Sequence, residues 1–310
     1  MSYPLVTLCG SYNLKFDWVR PCIESWRLLD NVDVSNFFLI PDERLEVADE
    51  EFFKSLGFKV LNSWDSENKI QRHLEKYPSL NEIRTRDLTW RKLLDTSILL
   101  NNFNKVLLID TDVLVTGPCS LPVFDFDICY LREDIPAYRA NWKLPWSISM
   151  VPALNAGLII FKPQQVDFDF LEFITEKYLL KCKDYWWTEQ SAWSCLAGRL
   201  PERFIFDGQQ ARVLSGFHGR SALDVRNNKY NYFGNRNRIK CFEDFKHFLD
   251  GSSIIHYAGL GKYWFKDSYT FLKTNESLVI PHQINAKYES TLTLVDKALI
   301  SSRLFMKELI

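Results

Sequence analysis

KVLLIDTDVLV, residues 105–115, is the stretch whose reading decides the fold. Val106 to Ile109 form a short, wholly apolar run that leads into Asp110-Thr111-Asp112, and Val113 to Val115 resume the apolar character. A continuous run of this length suits a strand covered on both faces, as in a parallel sheet. Side chains alternate along a strand, so Asp110 and Asp112 are expected on one side of it. Two carboxylates so placed repel each other and are costly to desolvate unless a cation lies between them. A divalent-metal site at the edge of a sheet is one reading. The other is that both Asp residues only cap the following turn.

Working outward, strand and helix signals alternate. Residues 4–9 read as a first strand and 10–13 as its turn. Pro21 can open a helix carrying Ile23, Trp26, Leu28 and Leu29. Residues 37–40 form a second strand, 47–56 a short helix ended by Gly57, and 58–61 a third strand. Residues 62–84 are polar and fit either loop or helix. From Asp87 to Asn102, Trp90, Leu93, Leu94 and Ile98 keep helical spacing and feed into the central run. Further strands are expected at 126–131, 158–161, 203–206 and 253–256, with helices at 168–180 and from 189. Strands separated by helices imply right-handed crossovers and a mostly parallel central sheet flanked by helices. Ligands of such sheets bind beyond the carboxyl ends of the strands, where the two Asp residues fall.

Composition narrows the function. The chain has 310 residues, 46% of them hydrophobic, enough for one large α/β core. A formal net charge of −1 argues against a nucleic-acid partner bound through bulk charge. Seven scattered cysteines, with no C-x-x-C pair, argue against a disulfide framework or zinc site and for a reducing compartment. Met1 leads almost at once into an apolar strand, and no window has the apolar length of a membrane span. The expectation is a cytoplasmic protein, or one at the cytoplasmic face of a membrane. Ten Trp residues suit a protein that stacks rings on sugars or bases.

Residues 255–265, IHYAGLGKYWF, contain H-x-x-G-x-x-K-x-W. This resembles the closing motif of family 8 glycosyltransferases, H-x-x-G-x-x-K-P-W, with Tyr263 in place of the proline. LLIDTDVLV resembles that family's D-x-D segment, LNAGLIIF (residues 154–161) its N-x-G strand, and Glu189-Gln190 its acidic-Gln pair. Residues 90–93 resemble its Lys/Arg-Leu helix and residues 6–12 its first nucleotide-binding turn. The likeness is collinear from the first strand to Phe265.

The resemblance implies a GT-A fold and a retaining hexosyltransferase that takes its sugar from a nucleotide diphosphate, usually a UDP-sugar. It implies Mn²⁺ or Mg²⁺ as cofactor, held by Asp110, Asp112 and His256. A mixed carboxylate and imidazole set suits manganese better than calcium or magnesium. Lys262, on a loop with Gly259 and Gly261, would place an ammonium on the diphosphate, and the glycines would let backbone approach it. Lys92 and Thr111 would also reach the donor, while Thr7 and Tyr12 would contact the nucleotide. Asn155, Glu189 and Gln190 would face the sugar. The acceptor could be a glycan, a lipid-linked saccharide or a protein.

Residues 1–265 would form the transferase domain and 266–310 a helical extension on or near the acceptor side. Trp186-Trp187 fit either an acceptor platform or core. The basic region 212–240 reads as a solvated loop or as a surface for an anionic acceptor or a membrane. Leu292, Val295, Leu299 and Phe305 form a roughly helical stripe expected to pack on its own domain. Two other readings stand beside the transferase. One is a phosphatase of the haloacid dehalogenase type with Asp110 as nucleophile. The other is a non-catalytic nucleotide-sugar binding protein.

Overall fold

In a computed structural model, the chain is described over residues 2–42, 45–133, 136–182, 185, 187–214, 246, 249, 251–274 and 282–309. The strands are β1 (Tyr3–Leu8), β2 (Val32–Ile40), β3 (Phe58–Val60), β4 (Val106–Ile109), β5 (Val113–Val115), β6 (Cys119–Ser120) and β7 (Ile128–Arg132). They continue with β8 (Leu154–Phe161), β9 (Arg203–Phe206), β10 (Ala211–Val213), β11 (Ile254–His256), β12 (His282–Gln283) and β13 (Ala286–Tyr288). The first helices are α1 (Val19–Ser25), α2 (Val47–Ser55), α3 (Trp64–Leu74), α4 (Pro78–Arg86) and α5 (Trp90–Leu99). After them come α6 (Leu144–Ser147), α7 (Phe168–Ile174), α8 (Thr188–Arg199), α9 (Phe265–Thr274) and α10 (Leu294–Leu309).

The main sheet has eight strands in the order β13-β9-β7-β8-β4-β1-β2-β3. β1 pairs in parallel with β2 and β4, β2 with β3, and β7 with β9. β8 runs antiparallel to both its neighbours, and β13 runs antiparallel to β9. Six of these eight strands therefore point one way, giving the mostly parallel sheet that the alternation of signals predicts. β5, β10 and β11 form a separate three-stranded sheet.

The central strand shows why the apolar run has its form. Val106 and Leu108 enter a core shared with Ile70 of α3, Leu93 and Leu94 of α5, Ile174 of α7 and Trp193 of α8. Leu107 and Ile109 enter a second core with Ile23 of α1, Phe53 of α2 and Val115, Val213 and Ile254 of the small sheet. Both faces of β4 are dry because helices cover one and α1, α2 and the small sheet cover the other. An unbroken apolar run is what such a strand requires.

The polar stretch 62–84 is helical rather than loop. Ser63 caps α3 by accepting from the Ser66 N–H at 3.1 Å, and Pro78 starts α4, where its missing N–H costs nothing. Between them Arg84 of α4 donates to Asp95 of α5 at 2.6 Å and to Glu67 of α3 at 3.0 Å, with Arg84 and Asp95 both buried.

Beyond residue 265 the chain adds α9, the edge strand β13 and α10, whose Ile300 and Leu304 join the main core together with Leu292. The stripe expected in this tail is out of phase. Val295 is 68% exposed, and Leu299 and Phe305 are also exposed. Leu292 precedes the helix, so spacing counted from it misses the buried face that Ile300 and Leu304 set at i, i+4. The basic region 212–240 lies outside the described residues except for residues 212–214, as does Trp186. Among the described residues no helix is long and apolar enough to cross a membrane, and the described cysteines are buried and form no disulfide with one another.

Candidate active site

Asp110 and Asp112 do not share the side of a strand. β4 stops at Ile109, residues 110–112 turn, and β5 begins at Val113 in the other sheet. The Val113 N–H closes the turn on the Asp110 carbonyl at 3.0 Å. The two carboxylates are thus brought together by a turn linking two sheets, and strand alternation plays no part.

Neighbouring strands complete the site. The Asp110 N–H donates to the Gly157 carbonyl at 2.8 Å, extending the ladder between β4 and β8 by one residue. On the other side β11 runs antiparallel to β5 with His256 opposite Val113, and the Tyr257 N–H donates to the Asp112 carbonyl at 2.9 Å. This register sets His256 beside Asp112, with Nε2 3.1 Å from Oδ1. One oxygen or nitrogen from each of Asp110, Asp112 and His256 can be chosen so that all lie within 4.8 Å of one another.

Gly157 makes room for the imidazole. A Cβ at this position would fall 2.3 Å from the His256 Cε1 and Nδ1 atoms. The Asn155 side chain fixes the ring from the same strand. Its Oδ1 accepts from the Gly157 N–H at 2.9 Å and lies 2.8 Å from His256 Nδ1. Its Nδ2 donates to Glu133 Oε2 at 3.0 Å. With Oδ1 as the acceptor, Nδ1 carries the ring proton, and the Nε2 lone pair faces Asp112.

The donor set therefore fits a divalent cation. Asp112 Oδ1 is buried and makes no hydrogen bond, and it confronts a ring nitrogen that also offers a lone pair. Two such acceptors at 3.1 Å need a cation or a proton between them. The other oxygen, Oδ2, is 2.5 Å from Lys262 Nζ. Burial by itself would raise the Asp112 carboxyl, but the neighbouring His256 and the Lys262 ammonium outweigh it. They hold the group well below the usual carboxylate range.

Asp110 faces α5. Lys92 donates to both its oxygens, at 3.1 and 3.2 Å, and lies 3.8 Å from Glu189 of α8. Burial would depress the Lys92 ammonium, yet Asp110 and then Glu189 reverse that and raise it. Burial pushes the Glu189 carboxyl up to about 7; Lys92 opposes the shift, and Asp110 and Asp87 add to it. Glu189 also accepts from the Trp193 indole at 2.6 Å. The Trp90 indole donates to Thr188 at 2.9 Å, tying the start of α5 to the start of α8 and so Lys92 to Glu189. Trp187 precedes α8 with a φ of 75°, an uncommon conformation for a bulky residue. Gln190 bonds backbone, accepting from the Ala156 N–H at 3.3 Å and donating to the Ala137 carbonyl at 3.0 Å.

On the β1 side, Thr7 is fully buried and its hydroxyl makes no hydrogen bond. Tyr12 is 61% exposed and meets Phe16 edge-on; Phe16 stacks on Trp18 at 4.6 Å, and Lys262 lies 5.8 Å from the Trp18 ring. An aromatic shelf thus runs toward Lys262. The two loop glycines differ in role. Gly259 has a φ of +54° and open space around its Cβ position, whereas a Cβ on Gly261 would strike the Leu214 carbonyl. Gly261 lets the Lys262 loop pack closely on the Leu214 backbone.

Arg132 ends β7 and Glu133 follows it, and Pro152 and Ala153 precede β8, so both segments lie at the sheet edge that carries Asp110. Together with Leu299 and Arg303 of α10 they line a cavity of about 390 Å³. Glu133, the residue joining this cavity to the site, was not singled out in the sequence. Its only signal there is an acid just beyond a strand's carboxyl end.

No protein-family model matches this chain, and no curated protein sequence matches it. Among solved structures it is similar to the apo form of the bifunctional glycosyltransferase WbbM, with a TM-score of 0.48 and 13% identity over 88% of this chain and 50% of that one. It is similar to apo glycosyltransferase GlyE of Streptococcus pneumoniae TIGR4, with a TM-score of 0.48 and 12% identity over 99% of this chain and 64% of that one. A third likeness is to mouse xyloside xylosyltransferase 1, with a TM-score of 0.47 and 12% identity over 83% of this chain and 97% of that one. The chain thus spans half the length of the first of these proteins and under two thirds of the second.

Proposed function

We propose that this chain is a metal-dependent retaining glycosyltransferase of the GT-A type, moving a hexose from a UDP-sugar to a saccharide, lipid-linked saccharide or protein acceptor. The observation that carries the reading is the convergence of Asp110, Asp112 and His256, with an unbonded Asp112 oxygen facing a ring nitrogen and Lys262 beside it. Asp110, Asp112 and His256 would hold Mn²⁺, or Mg²⁺. Bound there, the cation supplies Lewis-acid neutralisation of the diphosphate.

This chain's own residues do the rest. Lys262 offers an ammonium to the departing diphosphate, and stabilising that leaving group lowers the barrier directly. Lys92 fixes Asp110 in place, and Glu189, itself held by the Trp193 indole, backs Lys92. The exposed ring of Tyr12 offers a face to the base. The acceptor enters the cavity walled by Glu133, Arg303 and Leu299, so the extension 266–310 shapes acceptor choice. Retention needs no separate base, because a phosphate oxygen of the leaving group takes the acceptor's proton.

Calorimetric titration of UDP into the protein, first with Mn²⁺ and then with EDTA, tests this. Metal-dependent binding that disappears in Asp112→Ala supports the transferase, and a panel of UDP-sugars then identifies the donor. Absence of nucleotide binding in both conditions, with release of phosphate from sugar phosphates, would favour the phosphatase instead.

A further inference from the structure

Asn155 is 3% exposed, and both ends of its amide are committed. Oδ1 serves Gly157 and His256, and Nδ2 serves Glu133, which is 4% exposed. The chain Glu133–Asn155–His256–Asp112 is continuous, with contacts of 3.0, 2.8 and 3.1 Å. An amide alone can turn over and present either end. The Gly157 N–H, which needs an acceptor, and the Glu133 carboxylate, which needs a donor, together remove that freedom and hold Oδ1 and Nδ2 on their own sides.

We infer that Glu133 and Asn155 are positioning residues that fix the His256 ring in its Nδ1–H tautomer and aim Nε2 at the metal position. This rests on the metal reading of the site and adds to it two residues that touch no ligand. It also reassigns Asn155, expected from sequence to face the sugar, to the imidazole. The physical basis is general: a ligating imidazole is oriented, and its tautomer chosen, by what its other nitrogen bonds to. Here that partner is an amide, which is neutral and ambiguous, so other groups must orient it: the Gly157 N–H holds Oδ1, and a second group holds Nδ2. Glu133 fills that role from the end of β7, 22 residues away in sequence.

Two measurements test the inference. The first is Mn²⁺ titration followed by electron paramagnetic resonance of the free ion, on wild type, Asn155→Ala, Glu133→Ala, Glu133→Gln and the Asn155→Ala/Glu133→Ala double variant. Asn155→Ala should weaken Mn²⁺ binding by about 10- to 100-fold. Glu133→Ala should weaken it less, and Glu133→Gln, whose carbonyl can still accept from Nδ2, should recover most of the loss. The double variant should bind no worse than Asn155→Ala, since the two act in series. A role in stability alone would lower the melting temperature of the metal-free variants and leave Mn²⁺ affinity unchanged, which would overturn the inference.

The second measurement is the ¹⁵N spectrum of histidine-labelled, metal-free wild type, with His256→Ala for assignment. A proton on Nδ1 and a bare Nε2 are expected; a proton on Nε2 in the neutral ring overturns the relay. If wild type binds no Mn²⁺, the metal reading fails, and the spectrum still decides whether Glu133 and Asn155 set the tautomer.

Discussion

Gly157 and His256 occupy one volume between them: the space a side chain would take at position 157 is filled by the imidazole, 2.3 Å from the Cβ position. Gly157 also presents its carbonyl to Asp110 and its N–H to Asn155. One residue without a side chain therefore aligns three members of the site. Gly157→Ala should push the ring out of line while the β4–β8 ladder survives. The expected result is a loss of Mn²⁺ affinity of about tenfold or more, with destabilisation of roughly 1–3 kcal/mol from overpacking. Mn²⁺ titration beside thermal melting of the metal-free protein checks both.

Lys262 and His256 address different oxygens of Asp112 and should separate in their effects. Lys262→Ala is expected to slow hydrolysis of the preferred UDP-sugar by about 10²- to 10³-fold, as losing one electrostatic stabiliser typically does. It should leave Mn²⁺ binding largely intact, whereas His256→Ala should weaken Mn²⁺ binding itself. Steady-state hydrolysis and metal titration on the two variants would contradict this assignment if the effects were exchanged.

Glu189 supplies a pH dependence whose sign can be worked out. Its folded pKa, pushed up to about 7, lies above the ordinary value of 4.5, so the native state keeps a proton that the unfolded chain releases. The associated stability is fully present below about pH 4.5 and declines as pH rises through 7, by an amount on the order of 3 kcal/mol. Glu189→Gln removes the titrating group. In metal-free protein its advantage in melting temperature over wild type should be small at pH 4.5 and largest above pH 7.5. A difference independent of pH would show that burial does not raise this carboxyl.

Away from the site, Arg84 and Asp95 form a buried ion pair that joins α4 to α5. Asp95→Ala strands the guanidinium, and breaking such a pair costs about 3–5 kcal/mol. Glu67, which is half exposed and bonds the same guanidinium, should cost at most about 1 kcal/mol when replaced by Ala. Urea denaturation of the two variants provides the comparison. Since α5 carries Lys92, Asp95→Ala tests how far the site depends on that helix.

Much of the site was legible because its residues are chemically unusual where they stand. Asp110 and Asp112 interrupt an apolar run, and His256 and Lys262 stand in a motif whose spacing is specific. Glu133 was not legible, being a lone acid beside an irregular stretch, and its partner Asn155 is 22 residues away. The bonds of Asn155 to Gly157, His256 and Glu133 were hidden for a related reason: nothing local in the sequence shows which groups an amide beside a glycine will meet. In residues 62–84 polar composition left loop and helix both open, because the apolar residues that hold the two helices on the main core, Ile70, Leu74, Leu80 and Ile83, are sparse and Arg84 buries its charge against Asp95 and Glu67.

By itself the sequence determined the alternation of strands and helices that leads to β4, residues 62–84 excepted, the dryness of β4 on both faces and the presence of paired acids at its end. Those features follow from local patterning, since an apolar run of strand length must be covered wherever it lies. Tertiary structure decided that Asp110 and Asp112 meet through a turn between two sheets. It also set the β5–β11 register that brings His256 into the hollow at Gly157, and the phase of α10 fixed by Ile300 and Leu304. These depend on which surfaces meet. Strand register and helix rotation are set by partners far along the chain, and a shift of one residue would turn each of these side chains away.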